Sequence, residues 1–104
     1  MSVLLEFAMF PTDRGESVSQ EVSKVIEMIR ESGASYQLTP MGTIIETDTL
    51  EQTLALVQQA YQVLEKEGCQ RVYSSLKLDI RPGKDNRLAG KVASIQDKIG
   101  DVNS

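Results

Sequence analysis

An α+β fold with four strands and three helices, in the order β-α-β-β-α-β-α, is what the sequence predicts. Three observations carry the prediction. Residues 3–10, VLLEFAMF, are apolar at nearly every position and stop at Pro11. Two later segments repeat apolar residues at helical spacing, and residues 71–81 alternate apolar and polar side chains with a period of two.

The first run reads as a central strand buried on both faces. After the polar loop Thr12–Glu16, Ser17 and Gln20 have the spacing of a capping box. Val18, Val22, Val25, Ile26 and Ile29 continue as a helix that Gly33 stops. Two short strands follow, ASYQLT and TIIET, joined tightly at Pro40-Met41-Gly42. Thr49, or Asp48 before it, can cap a second helix whose expected apolar stripe is Leu50, Leu54, Val57, Tyr61 and Leu64, ended by Gly68. In the fourth strand Val72, Leu76, Leu78 and Ile80 share one face, with Ser74 its polar member. Tyr73, Ser75, Lys77, Asp79 and Arg81 share the other. Beyond Pro82-Gly83, Leu88, Val92, Ile95 and Ile99 mark a third helix, expected as an appendage to the core.

The first six elements make the split βαβ, or ferredoxin-like, arrangement βαββαβ, with the extra C-terminal helix following. Right-handed crossovers then give an antiparallel sheet of order 4-1-3-2, both crossover helices on one face and the other face open. No linker or internal repeat interrupts the chain, so one domain is expected over residues 1–104.

Composition narrows the function. Eleven basic against fifteen acidic residues give a net charge of −4, which repels nucleic-acid phosphates and anionic membranes. No apolar run approaches the roughly 18 residues of a membrane span. One cysteine, Cys69, allows no internal disulfide, and no leader pattern opens the chain, so the cytoplasm is the expected location. The absence of histidine removes imidazole bases, Ser-His and Cys-His pairs and the commonest transition-metal ligand. Catalytic residues, a metal and a cofactor are therefore not expected. Arg81-Pro82-Gly83-Lys84 lacks the spacing of a nucleotide loop, and strand four offers only Tyr73 where an RNA-binding sheet needs several aromatics.

The open face should carry Leu4, Glu6, Ala8 and Phe10 beside the Tyr73–Arg81 set. Exposed Leu4, Phe10 and Tyr73 would form an apolar patch that self-association or a ligand relieves. In strand three Ile44 and Glu46 share one parity, and Thr43, Ile45 and Thr47 the other, so which set faces outward is open. Glu46 can accept hydrogen bonds from an amino-heterocycle, or be an ordinary solvated strand glutamate. Asp79 and Arg81 are expected as an exposed ion pair. Pro40-Met41-Gly42-Thr43 combines a fixed φ, a pliable thioether, a missing Cβ and a hydroxyl. That suits a flat ring and equally a plain turn. Tyr36 can stack on a ring or simply pack.

Taken together, several features resemble the thiamine-binding, YkoF-like family over essentially the whole chain. They are Pro11 ending strand one, Glu31-Ser32-Gly33, Tyr36-Gln37-Leu38, the run Pro40-Met41-Gly42-Thr43-Ile44-Ile45-Glu46, Gly68, Arg71-Val72, Leu78-Asp79-Ile80-Arg81 and Lys91-Val92. The PMGT-x-x-E run is the most specific part. The resemblance implies a non-catalytic cytoplasmic protein that assembles through its sheets as a homodimer or homotetramer and binds thiamine or its hydroxymethylpyrimidine moiety. It carries ligand-binding roles over to Pro11, Ser17, Met41, Gly42, Thr43 and Glu46, to which the residue reading adds Tyr36. The loop Thr12–Glu16 departs from the family in being more charged. If it borders the pocket, Asp13 or Glu16 favours a cation, and Arg14 opposes one or attracts a phosphate ester.

Two other readings stand beside this carrier, buffer or sensor. One is a structural or regulatory oligomerisation domain without a ligand. The other is an enzyme using Glu46 or Asp79 as general acid or base, which no paired-carboxylate motif supports.

Overall fold

The computed structural model describes residues 1–104. Its elements are β1 (Ser2–Pro11), α1 (Ser19–Glu31), β2 (Ser35–Thr39), β3 (Gly42–Thr47), α2 (Leu50–Lys66), β4 (Val72–Arg81) and α3 (Arg87–Ile99). The sheet is antiparallel with order β2-β3-β1-β4, the expected 4-1-3-2 read from the other edge. This is the α+β, ferredoxin-like arrangement.

Alternation along β1 decides where the core sits. Val3, Leu5, Phe7 and Met9 are buried on the side of α1 and α2, and Leu5, Phe7 and Met9 cluster there with Val25, Ile29, Ile45, Leu56, Ala60 and Leu64. Burying each of the larger of these side chains contributes about 1.5–3 kcal/mol relative to leaving it in water. On the opposite face Leu4 and Ala8 are half-buried and Glu6 and Phe10 exposed, so β1 is central without being buried on both faces.

Register settles the orientation of β3. Leu4 lies opposite Glu46 and Glu6 opposite Ile44, so Ile44 and Glu46 share the face of Leu4. Thr43, Ile45 and Thr47 lie beneath the helices and are buried. The Thr47 and Thr53 hydroxyls meet at 2.5 Å, and Thr47 also donates to the Thr49 carbonyl at 2.9 Å, so α2 is tied to the end of β3 without an orphaned polar group.

Three helix expectations are corrected. The Ser17–Gln20 capping box does not form: α1 is preceded by Val18, no side chain caps it, and the Ser17 hydroxyl faces that of Ser19 at 3.4 Å. The reciprocal box is at α2, where Thr49 accepts from the Gln52 N–H and the Gln52 side chain accepts from the Thr49 N–H. The stripe buried by α2 is Thr53, Leu56, Ala60 and Leu64; Leu54 and Tyr61, chosen for their apolarity, are turned out by one helical step. Small side chains at 53 and 60 let the helix approach the sheet closely, and that outweighs hydrophobicity in choosing the face.

The third correction concerns α3. It is no appendage: it folds back over the β3–β1 part of the face left free by α1 and α2, with Leu88 and Val92 half-buried there. Ile95 and Ile99 remain exposed. No helix is long and apolar enough to cross a membrane.

Candidate ligand-binding site

Two local features create a groove at the end of the sheet remote from α3. The first is the hairpin. Pro40 and Met41 form the two-residue connection between β2 and β3, and the Thr39 hydroxyl holds it by accepting from the Met41 N–H at 3.2 Å and the Gly42 N–H at 3.1 Å while donating to the Gly42 carbonyl at 2.8 Å. An added Cβ at Gly42 would meet the Phe7 carbonyl oxygen at 3.0 Å, so the missing side chain is what lets the turn lie against β1.

The second feature is a difference in strand length. Pairing of β1 with β3 ends at Phe7 opposite Thr43, whereas pairing with β4 continues to Pro11 opposite Val72. In an antiparallel ladder residues turn their peptide groups alternately to one neighbour and the other. The Thr12 N–H donates to the Arg71 carbonyl at 2.9 Å, so even-numbered residues of β1 face β4 and odd-numbered ones face β3. Past Phe7, the N–H and C=O of Met9 thus face the notch with no strand partner. Pro11, next on the same side, brings no N–H, which spares this free edge an orphaned donor.

The groove holds about 350 Å³ and is lined by Phe7, Met9, Val22, Ile26, Leu38 and Met41, with Gly42 and Thr43 at its floor. Met41 is 89% exposed at the rim, free to fold over an occupant. A mostly apolar recess with a few fixed polar groups is the usual form of a small-molecule site.

The seven residues singled out in the sequence do not converge on one cavity. Met41, Gly42 and Thr43 line the groove. Pro11 is buried at the end of β1, and Ser17 is exposed in the segment leading to α1. Tyr36 faces the helix side and packs at the margin of the core. Glu46 lies three residues beyond Thr43, about 10 Å along the strand and on the opposite face.

Glu46 is engaged structurally. Its Oε2 accepts from the Ser2 hydroxyl and the Arg87 N–H, both at 2.8 Å, and its Oε1 accepts from the Leu88 N–H at 3.0 Å. The carboxylate therefore sits at the N-terminus of α3, where two free backbone donors and the helix dipole favour negative charge. Desolvation pushes its carboxyl up, but the Leu88 and Arg87 N–H groups, the Ser2 hydroxyl and the Arg87 charge outweigh this and hold it below the ordinary value.

Arg87 completes the anchor. Its buried guanidinium donates to the Ser2 hydroxyl and carbonyl, both at 2.9 Å, and to the Asp79 carboxylate at 2.7 Å. Asp79 therefore pairs with Arg87, and the expected pair with Arg81 is not formed. The apolar patch is also revised: Phe10 and Tyr73 are exposed with ring centroids 5.9 Å apart, while Leu4 lies at the other end of β1, at the margin of α3.

The charged loop does not line the groove. Arg14 donates to the Glu67 carbonyl at the end of α2, and Asp13 accepts from the Gln70 N–H at 2.9 Å. That backbone hydrogen bond holds the Asp13 carboxyl below its ordinary value. Both charges fasten the connection between α2 and β4. No group of three or more His, Cys, Asp or Glu is placed to hold a metal ion.

Sequence reading missed Thr39, Arg87 and the Met9 peptide. Thr39 carried a signal, since a hydroxyl at the start of a tight turn, here three residues before Gly42, commonly bonds the turn backbone. Arg87 carried none, because its partners lie 8 and 85 residues away.

Comparison with known proteins places these features. The family profile described as "Thiamine-binding protein" matches residues 5–96. A UPF0045 protein of Mycobacterium bovis is 36% identical over 96 residues, 92% of this chain and 93% of that one. A crystal structure of a hypothetical protein from Methanocaldococcus jannaschii is 35% identical, with a TM-score of 0.77 over 90% of this chain and 95% of that one. A Thermotoga maritima protein provisionally described as serving thiamine biosynthesis or salvage shares the fold, with a TM-score of 0.77 at 21% identity over 91% of this chain and 99% of that one. The chain, matched over most of its length, belongs to the thiamine-binding protein family.

Proposed function

We propose that the protein binds thiamine or its hydroxymethylpyrimidine moiety, without catalysing a reaction on it, in the groove between α1 and the β2–β3 hairpin. The observation carrying this reading is the notch where β1 outruns β3. There a backbone N–H and C=O of one residue, Met9, face an apolar recess. An aminopyrimidine offers a ring nitrogen that accepts and an amino group that donates, side by side, which is the complement of such a peptide edge. The thioether of Met41 and the exposed ring of Phe10 are suitable neighbours for a thiazolium cation, and the net charge of −4 favours its approach. The family match supports this ligand class, and the absence of histidine together with the structural engagement of Glu46 and Asp79 supports a binding role as carrier, buffer or sensor.

Within this reading Thr43 is a floor contact and Met41 a cover, while Pro11 and Ser17 shape the approach. Tyr36 and Glu46 act at a distance, by supporting β2 and α3. Calorimetric titration with thiamine and with hydroxymethylpyrimidine tests the proposal. Binding by at least one is expected, with the ligand recovered chemically unchanged. Thr43→Val should weaken binding about five- to tenfold, and Glu46→Gln should leave it within about twofold. Absence of heat at millimolar concentration of both ligands would refute it.

A further inference from the structure

The face of the sheet opposite the groove holds a second recess, between α3 and the β4 side of the sheet. It measures about 330 Å³, at the small end of the range for ligand pockets. Leu88, Lys91 and Val92 of α3 form one wall, and Leu4 and Ile44 of the strands form the floor. The four apolar side chains are all half-buried, so packing within the chain leaves each of them with uncovered surface.

Charges of both signs ring this apolar floor with bonding capacity left over. Glu6 lies opposite Lys77 on the shared face of β1 and β4, and the two meet only loosely, at 3.7 Å. Leu4 lies opposite Asp79, which makes Glu6 and Asp79 diagonal neighbours, roughly 7–8 Å apart. Arg87 occupies Oδ2 of Asp79 and leaves Oδ1 unengaged. Lys91 enters no ion pair. Two ammonium donors and two carboxylate acceptors therefore surround one apolar centre.

We propose that this recess binds a zwitterionic α-amino acid with an apolar side chain. The ammonium sits between Glu6 and Asp79, the carboxylate meets Lys91 and Lys77, and the side chain covers Leu4, Ile44 and Val92. Other small ligands match the recess less completely. A simple carboxylic acid leaves both acceptors unmet and is repelled by them, a simple amine is repelled by Lys91, and a phosphate ester sets a dianion against two carboxylates. Glycine satisfies the charges and leaves the apolar floor uncovered. The recess lies across the sheet from the groove, so the inference is independent of the ligand proposed there.

The test titrates the full chain with leucine and with phenylalanine, followed by amide-resolved NMR. At least one should give saturable shifts at Lys77, Asp79, Lys91 and Val92. Isocaproate, which is leucine without its amine, isoamylamine, which is leucine without its carboxylate, and glycine should each bind about fivefold or more weakly. Lys91→Met keeps the apolar stem and drops the ammonium, and Glu6→Gln keeps the shape and drops the charge. Both residues are exposed, so the circular dichroism spectrum should not change, while affinity should fall about five- to tenfold in each. Absence of saturable shifts with both amino acids at millimolar concentration, shifts that avoid these residues, equal binding of any of the three truncated ligands, or unchanged affinity in either variant would each overturn the inference.

Discussion

Replacing Glu46 by glutamine tests what holds α3 over the sheet. The carboxylate accepts three hydrogen bonds, two of them from the first backbone N–H groups of the helix. Hydrogen bonds to a charged group contribute about 1.5–3 kcal/mol and those to a neutral one about 0.5–1.5. Glutamine keeps one acceptor oxygen and turns an NH₂ toward donors, and it removes a helix-terminus charge worth about 0.3–1 kcal/mol. Glu46 is partly exposed, so solvent screens part of this, and the net loss should be about 1–3 kcal/mol. That corresponds to about five- to 150-fold faster amide exchange in α3 by hydrogen–deuterium exchange. Amides of α1 and α2 should change far less, because the core does not depend on α3. Unchanged exchange in α3, or equal acceleration everywhere, would refute this account of the anchor.

Other outcomes follow from the same geometry. Acid should release the anchor: the folded Glu46 carboxyl lies below its ordinary value of 4.5, so its stabilising contribution is present above that pH and is lost as pH falls through the lower folded value. The Arg87 and Leu88 amide resonances, followed by NMR, should titrate with a midpoint under 4.5. Leu5→Ala, at a fully buried position of the central strand, should cost about 2–5 kcal/mol in chemical denaturation. Gly42→Ala should cost about 1–3 kcal/mol, because the new Cβ presses on the Phe7 carbonyl, and the groove should lose affinity with it.

The strand order, the hairpin and the C-terminal ends of α1 and α2 were legible because each rests on short-range patterning. Period-two alternation marked β4, Pro40 to Gly42 marked the turn, and Gly33 and Gly68 marked helix ends, both with φ near +80°. The buried face of α2 was misread because Thr53 and Ala60 are chosen for size at close approach, which hydrophobicity does not report. The place of α3 was illegible for a different reason. It depends on a buried arginine meeting Ser2 and Asp79, and on a strand glutamate meeting backbone N–H groups some 41 residues away. Sequence spacing holds no trace of such contacts. Of the candidate site, the turn residues Met41, Gly42 and Thr43 were found together because they are adjacent in the chain. The Met9 peptide was hidden because it follows from the unequal pairing of β1 on its two sides, a property of the sheet and not of any residue type.

An amide-resolved NMR titration of the full chain with thiamine tests the central claim most directly. The account predicts that the largest shifts fall on Met9, Met41, Gly42 and Thr43, with α3 amides little affected. Shifts confined to residues 88–96, or no shift at millimolar thiamine or hydroxymethylpyrimidine, would contradict it.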